Sequence, residues 1–215
     1  MPWVKENADA VLVQWYAGEQ QGRTLADILL GKVNPSGKLN VSFPRSTGNT
    51  PCFYNHFVTD REEPFDQPGT PEEPKGHYIF DKPEPLWNFG HGKSYTTFDY
   101  VDCALSDTLL AASDTLKVSV MIKNTGRCDG KEVVQLYVRD KVSTVATPIQ
   151  QLKAFQKVLV KSGESQCVEL SLPIAELALY NAKMEEVVEP GDFEIQIGAA
   201  SDDIRFKKTI TINRK

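Results

Sequence analysis

The clearest periodicity lies in the second half of the chain. From Leu116 to Lys123 apolar and polar side chains alternate, the two-residue repeat of a strand with one buried face. Asn124-Thr125-Gly126 ends that run, and Glu132 to Arg139 follows as a further strand after the turn Cys128 to Lys131. Further runs at 152–160, 167–172, 192–197 and 204–212, with an opening run at 98–105, predict seven strands in about 115 residues. Seven short strands bounded by turn signals predict an immunoglobulin-like β-sandwich. No tryptophan follows Trp87, so the Cys–Trp–Cys core of antibody domains is missing and a fibronectin type III-like sandwich without a core disulfide fits better. Leu177, Leu179 and Tyr180 suit a corner where the chain crosses to the second sheet.

The first 48 residues follow another pattern. Ala8 to Trp15 is almost continuously apolar, as expected of a strand buried on both faces in a parallel sheet. Leu25, Ile28 and Leu29 then form one stripe of a helix predicted over Gly22–Leu30, and Gly31 suits its exit. After the Asn34-Pro35-Ser36-Gly37 turn, Lys38 to Phe43 alternates as a short strand stopped by Pro44. Strand, helix and strand make one unit of an α/β layer, and one unit cannot cover both faces of its own sheet. The expectation is the tail of a larger domain.

Between these parts, seven of the thirteen prolines fall within residues 49–97 and deny that stretch long helices or central strands. Its rings (Phe53, Tyr54, Phe57, Phe65, Tyr78, Phe80, Trp87, Phe89, Tyr95) are denser than a solvated tether needs. The reading is a connector pinned to a surface by its aromatics, set against a disordered tip around 60–76. The fold class is therefore mainly β: an α/β tail at 1–48, an irregular connector at 49–97 and a sandwich at 98–215.

Composition narrows the function classes. A net charge of −5 argues against a general nucleic-acid binder. No apolar run reaches the roughly 18–20 residues of a spanning helix, and Met1 to Asp9 shows no signal-peptide pattern. Cys52, Cys103, Cys128 and Cys167 lack the close spacing of zinc ligands and read as isolated, tolerated thiols, so neither a metal site nor a cofactor is expected.

The candidate chemistry is sparse. Asp60, Glu62, Glu63, Asp66, Glu72 and Glu73 cluster among polar residues, with no apolar run to raise a carboxyl pKa. A solvated loop is the simpler account. Glu19 follows Gly18 at a predicted strand exit, where α/β sheets place ligand-facing groups. Asp27 lies one turn after Arg23 and reads as a surface ion pair. His56, His77 and His91 have no second ligand at helical spacing, and Gly90-His91-Gly92 reads as a tight turn. No serine or cysteine stands in a nucleophile elbow, and no catalytic, binding or metal residue is assigned.

Several of these segments, in this order, resemble one family. Trp15-Tyr16-Ala17-Gly18-Glu19-Gln20-Gln21-Gly22, Leu25-Ala26-Asp27-Ile28-Leu29-Leu30-Gly31 and Asn34-Pro35-Ser36-Gly37-Lys38-Leu39 resemble the end of the α/β sandwich domain of family-3 glycoside hydrolases. The stretch from Pro85 to Phe98 is similar to that family's junction into its last domain. Lys123 to Gly126, Gly130 to Val138, Leu152 to Phe155 and Glu189 to Gly191 resemble its fibronectin type III-like domain. The resemblance implies a retaining exo-acting β-glycosidase, often a β-glucosidase or β-xylosidase, with a (β/α)₈ barrel upstream. It implies an aspartate nucleophile and a glutamate acid/base, the pair a double displacement needs. Both would precede this chain, so neither is carried over. Many members read Pro-Gly-x-Glu-Gly-Gly where this chain has Ala17-Gly18-Glu19-Gln20-Gln21-Gly22, which sets Glu19 one position off.

The main expectation is thus an inactive C-terminal structural fragment whose parent takes a β-linked oligosaccharide or glycoside, and which packs on upstream domains. Neither nucleic acid nor membrane is expected as a partner. A periplasmic or secreted parent would suit, although the compartment is not read from this sequence. The alternative is a carbohydrate-binding or protein-interaction module, which would need exposed, coplanar rings; the sandwich offers Tyr100, Tyr137, Phe155, Tyr180, Phe193 and Phe206. A small intact enzyme using Glu19 and the acidic loop is the third. By analogy, the Tyr54-Asn55-His56 loop could approach a sugar site from the side, against a plain packing role.

Overall fold

The computed structural model describes residues 1–57, 70–72, 82 and 84–213. In chain order the second half contains β1 (Phe98–Leu105), β2 (Leu109–Leu110), β3 (Thr115–Asn124), β4 (Gly130–Asp140), β5 (Gln151–Val160), β6 (Ser165–Pro173), β7 (Leu179–Tyr180), β8 (Glu186–Val187), β9 (Gly191–Ala200) and β10 (Asp203–Ile212). The seven long strands coincide with the seven alternating runs; β2, β7 and β8 are two-residue pairings. One sheet has the order β1-β3-β6 and the other β2-β10-β9-β4-β5, with β7 and β8 forming a separate ribbon. The turn of 3₁₀ helix at Ile174–Leu177 begins the crossing from β6 to the larger sheet. This is an immunoglobulin-like sandwich of the fibronectin type III-like kind.

Alternation explains the core. On β3, Leu116, Val118, Val120 and Ile122 face inward and are fully buried. Val120 lies opposite Cys103 on β1 and Val168 on β6, so one layer of the small sheet is three buried side chains. From the larger sheet Val134, Leu136, Ile195, Ile197 and Ile210 complete the same cluster. Each such aliphatic side chain contributes about 1.5–3 kcal/mol on leaving water. All four cysteines are free thiols, so this burial holds the sandwich without a cross-link.

The tail departs from expectation in three places. Its helix α2 spans Gln21–Leu29, after a short helix α1 at Pro2–Asn7 that the sequence pattern does not announce. The predicted strand Ala8–Trp15 is not in any ladder, and Val11, Leu12 and Val13 stand 46%, 44% and 38% exposed. A strand is stabilised by a hydrogen-bonded neighbour, and none adjoins residues 8–15 among the described residues. Lys38–Phe43 likewise forms no regular strand. Instead Leu39 exchanges main-chain hydrogen bonds with His91 and Gly90, and Phe43 with Trp87 and Leu86, at 2.7–2.8 Å. Its partner is the connector.

Of the described connector rings, Tyr54, Trp87 and Phe89 pack against other rings, whereas Phe53, Phe57 and Tyr95 are exposed. Tyr54 stacks on Phe89 at 4.2 Å between centroids, and Trp87 meets Phe43 edge-on at 6.0 Å. Phe65, Tyr78, Phe80, His77 and all of the acidic cluster except Glu72 lie outside the described residues, as does most of the 60–76 tip. Among the described residues no helix is long and apolar enough to cross a membrane.

Candidate functional site: the seam between tail and sandwich

The polar side chains that do converge lie where two turns of the first hundred residues meet the sandwich. The first turn is Asn34–Lys38. Asn34 Nδ2 donates to Asp129 O at 2.9 Å, and its Oδ1 accepts from Tyr95 N at 2.8 Å. From the end of that turn Lys38 extends to Glu132, with Nζ 3.1 Å from Oε1, and also donates to Gly92 O at 3.0 Å. The two side chains are only 14% and 8% exposed. Glu132 shares the parity of the core residues Val134, Leu136 and Val138 on β4. It is a carboxylate at the end of an apolar face, and the lysine makes its burial tolerable. Tyr100 Oη donates to Glu132 Oε1 at 3.4 Å and to Gly198 O at 3.3 Å. Burial, followed by the neighbouring carboxylate, pushes this phenol far above its ordinary value, so it acts as a donor throughout the accessible pH range.

The second turn, Phe89–Gly90, lies on the outer face of the larger sheet. Gln135 and Tyr137 have the outward parity of β4, yet they are 2% and 0% exposed because the connector covers them. Gln135 Nε2 donates to Ala199 O at 2.6 Å and Gly90 O at 3.3 Å, while Tyr137 Oη donates to Gln135 Oε1 at 2.6 Å. Tyr54 meets Tyr137 edge-on at 5.9 Å, and its Oη accepts from Leu152 N at 3.2 Å. Ile149 N donates to His56 O, and Ser201 N to Phe89 O, at 2.9 and 3.0 Å. The Tyr54-Asn55-His56 loop is thus held against the sandwich. At the junction itself, fully buried Asn124 donates to Cys128 O and Val160 O and accepts from Thr96 Oγ1 and Gly126 N. Its hydrogen-bonding capacity is satisfied, as a buried amide requires.

His91, whose carbonyl pairs with Leu39, has its imidazole pKa held below the ordinary value by burial, against the opposing pull of Asp202. Lys93, Lys38 and Lys5 add repulsion in the same direction as burial.

The remaining sequence candidates do not converge. Glu19 is exposed in a turn of 3₁₀ helix, and Asp27 pairs with Arg23 at 3.9 Å and Lys32 at 3.8 Å. Glu72 is exposed. Among the described residues no three His, Cys, Asp or Glu side chains are grouped to hold a metal. An open cleft of ≈ 290 Å³ at the β4–β5 end is lined by Arg139, Asp140, Lys141 and Ser143, and an adjoining ≈ 50 Å³ hollow reaches Lys153 and Phe193. Of the sandwich aromatics, Phe193 is core and Tyr137 lies under the connector. Phe155 and Tyr180 are exposed but belong to no stacked pair among the described residues. Sequence reasoning passed over Lys38, Glu132 and Gln135. The available signal was the two polar residues inside an otherwise apolar strand run.

Chemically, the seam is a set of donors and acceptors that satisfy one another, which is an arrangement for holding parts together. The comparisons agree with its two-part construction. Residues 1–95 match the model of the glycosyl hydrolase family 3 C-terminal domain, and residues 132–201 that of the fibronectin type III-like domain. A beta-xylosidase of Formosa agariphila is 40% identical over 215 residues, covering 99% of this chain and 28% of its own length. The periplasmic beta-glucosidase of Salmonella typhimurium is 39% identical, over 94% of this chain and 26% of its own. Among solved structures, beta-glucosidase from Listeria innocua in complex with glucose superposes with a TM-score of 0.81 at 37% identity, over 93% of this chain and 27% of that one. The chain therefore spans about a quarter of the length of these relatives. It belongs to the family-3 glycoside hydrolases and corresponds to their C-terminal region, in which the α/β segment runs into a fibronectin type III-like sandwich.

Proposed function

We propose that this chain is the C-terminal structural portion of a retaining exo-β-glycosidase that hydrolyses O-glycosidic bonds, and that the catalytic residues lie outside it. The supporting observation is the seam. The polar side chains that converge at the seam are consumed in holding tail to sandwich, and of the described carboxyl groups Asp140 alone lines the open cleft. A retaining glycosidase needs two carboxyl groups about 5–5.5 Å apart, flanking a sugar. We assign 1–48 to the tail of an α/β domain, 49–97 to the connector and 98–215 to the sandwich.

The tail also supports packing on upstream domains. Trp3, Leu12, Trp15, Tyr16, Leu29 and Leu30 are exposed at 44–103%, more apolar surface than one short segment presents to water. The substrate of the assembled enzyme would be a β-linked oligosaccharide or glycoside. The alternative, a binding module, gains little, because the stacked pair Tyr54–Phe89 is spent within the seam.

Purified chain, incubated with aryl β-glucosides and β-xylosides, should give no turnover above a heat-inactivated control. Sustained turnover that a point substitution within residues 1–215 abolishes would overturn the proposal. Calorimetric heat with millimolar sugar would favour the binding module instead.

A further inference from the structure

We infer that tail, connector and sandwich fold and unfold as one cooperative unit, so that the boundary between the two family domains is not an energetic boundary. The inference does not depend on the glycosidase reading; it rests on what each side lacks without the other.

Taken alone, the tail has no core. Neither α1 nor α2 contains a buried residue, and residues 8–15 lie in no ladder. Its backbone order comes from outside: Leu39 and Phe43 pair with the connector, Lys5 Nζ donates to Leu86 O at 2.6 Å, and Asn34 holds Asp129 O. A nine-residue helix is too short to persist in water unaided. Tertiary contact must supply the difference.

The sandwich is equally incomplete. Stripped of residues 34–57 and 84–92, β4 would expose Tyr137, leave Gln135 Nε2 without Gly90 O, and leave Glu132 without its ammonium. A carboxylate near a core that has lost its paired ammonium is strongly destabilising. These losses fall on β4, which lies between β5 and β9 in the larger sheet. Damage there reaches the middle of the fold.

The chain carries its own reporters. Trp3, Trp15 and Trp87 all lie before residue 98, so tryptophan fluorescence follows the tail and connector, while far-ultraviolet circular dichroism is dominated by the sandwich strands. On heating the 215-residue chain, both signals should change at one midpoint. Val120→Ala removes core volume inside the sandwich, far along the chain from every tryptophan. It should lower both midpoints together by about 5–10 °C. Glu132→Gln strands Lys38 at the seam and should lower both by on the order of 10 °C.

Each variant tests one direction of the coupling. If Val120→Ala moves only the dichroism midpoint, or Glu132→Gln only the fluorescence midpoint, the inference is wrong. Two separated transitions in the unsubstituted chain would overturn it without any variant. Should Glu132→Gln fail to fold, the milder core truncation and the unsubstituted chain still decide the question.

Discussion

Two glycines share a backbone conformation and differ in their surroundings, which lets the packing of the seam be measured by itself. Gly90 has φ +81° and Gly163 has φ +77°, both in the left-handed region. Forcing alanine into that region costs about 1–2 kcal/mol at either position, partly offset by about 0.4–1 kcal/mol from a less disordered unfolded chain. A Cβ at Gly163 meets nothing within 4 Å, so Gly163→Ala should cost roughly 1 kcal/mol. At Gly90 the same atom would press into Gln135 Oε1 and lie 3.0 Å from Tyr137 Oη and 3.1 Å from Ala200 Cα. None of these can retreat easily. Gln135 and Tyr137 are buried and hydrogen-bonded to each other, and Ala200 Cα is backbone. Overpacking adds about 1–3 kcal/mol, and a displaced Gln135 loses at least one buried hydrogen bond, about 1–3 kcal/mol more. Gly90→Ala should therefore cost about 2–6 kcal/mol more than Gly163→Ala. Urea unfolding of the two variants side by side, with unchanged m-values, gives the difference directly. Equal losses would show that the Phe89–Gly90 turn is not packed on β4 as described.

Other expectations concern the core, the thiols and pH. Leu136→Ala, at a fully buried position facing both sheets' core, should lose about 2–5 kcal/mol in the same urea assay. Cys167 is exposed and Cys103 is buried, with burial pushing the Cys103 thiol up. An aromatic disulfide reagent should therefore modify Cys167 in the native chain and reach Cys103 only on unfolding. His91 is held neutral by burial, so protonation favours the unfolded chain. Its contribution is complete above the ordinary value of 6.5 and is lost as pH falls from there towards the lower folded value. His91→Gln should flatten part of the stability loss as pH falls below the ordinary imidazole value of 6.5; an unchanged pH profile would remove His91 from the account.

The sandwich was legible because its strands obey a local rule. Leu116, Val118, Val120 and Ile122 alternate with polar residues, and their burial follows from parity alone. Residues 8–15 failed as a strand for the complementary reason: an apolar run states a preference for burial but cannot supply the neighbouring strand. The seam was harder to read. Lys38 and Glu132 stand 94 positions apart, and nothing local in either says that the other neutralises it. Tyr137 looks like any outward residue of an alternating strand until Tyr54 and Phe89 are placed over it. The family was legible for a different reason, since turns such as Asn34–Lys38 and Phe89–Gly90 impose narrow residue requirements and so carry recognisable motifs.

Membership of a larger glycosidase is open to one direct measurement on the source organism. Antibody raised against the purified 215-residue chain should detect the natural polypeptide in a native gel overlaid with a fluorogenic β-glycoside. A chain of 24.0 kDa that spans 28% of its xylosidase relative scales to about 86 kDa. The account predicts an immunoreactive species of about that mass whose band also cleaves the glycoside. An immunoreactive species of 24.0 kDa with no larger form, or glycoside cleavage by that small species itself, would contradict it.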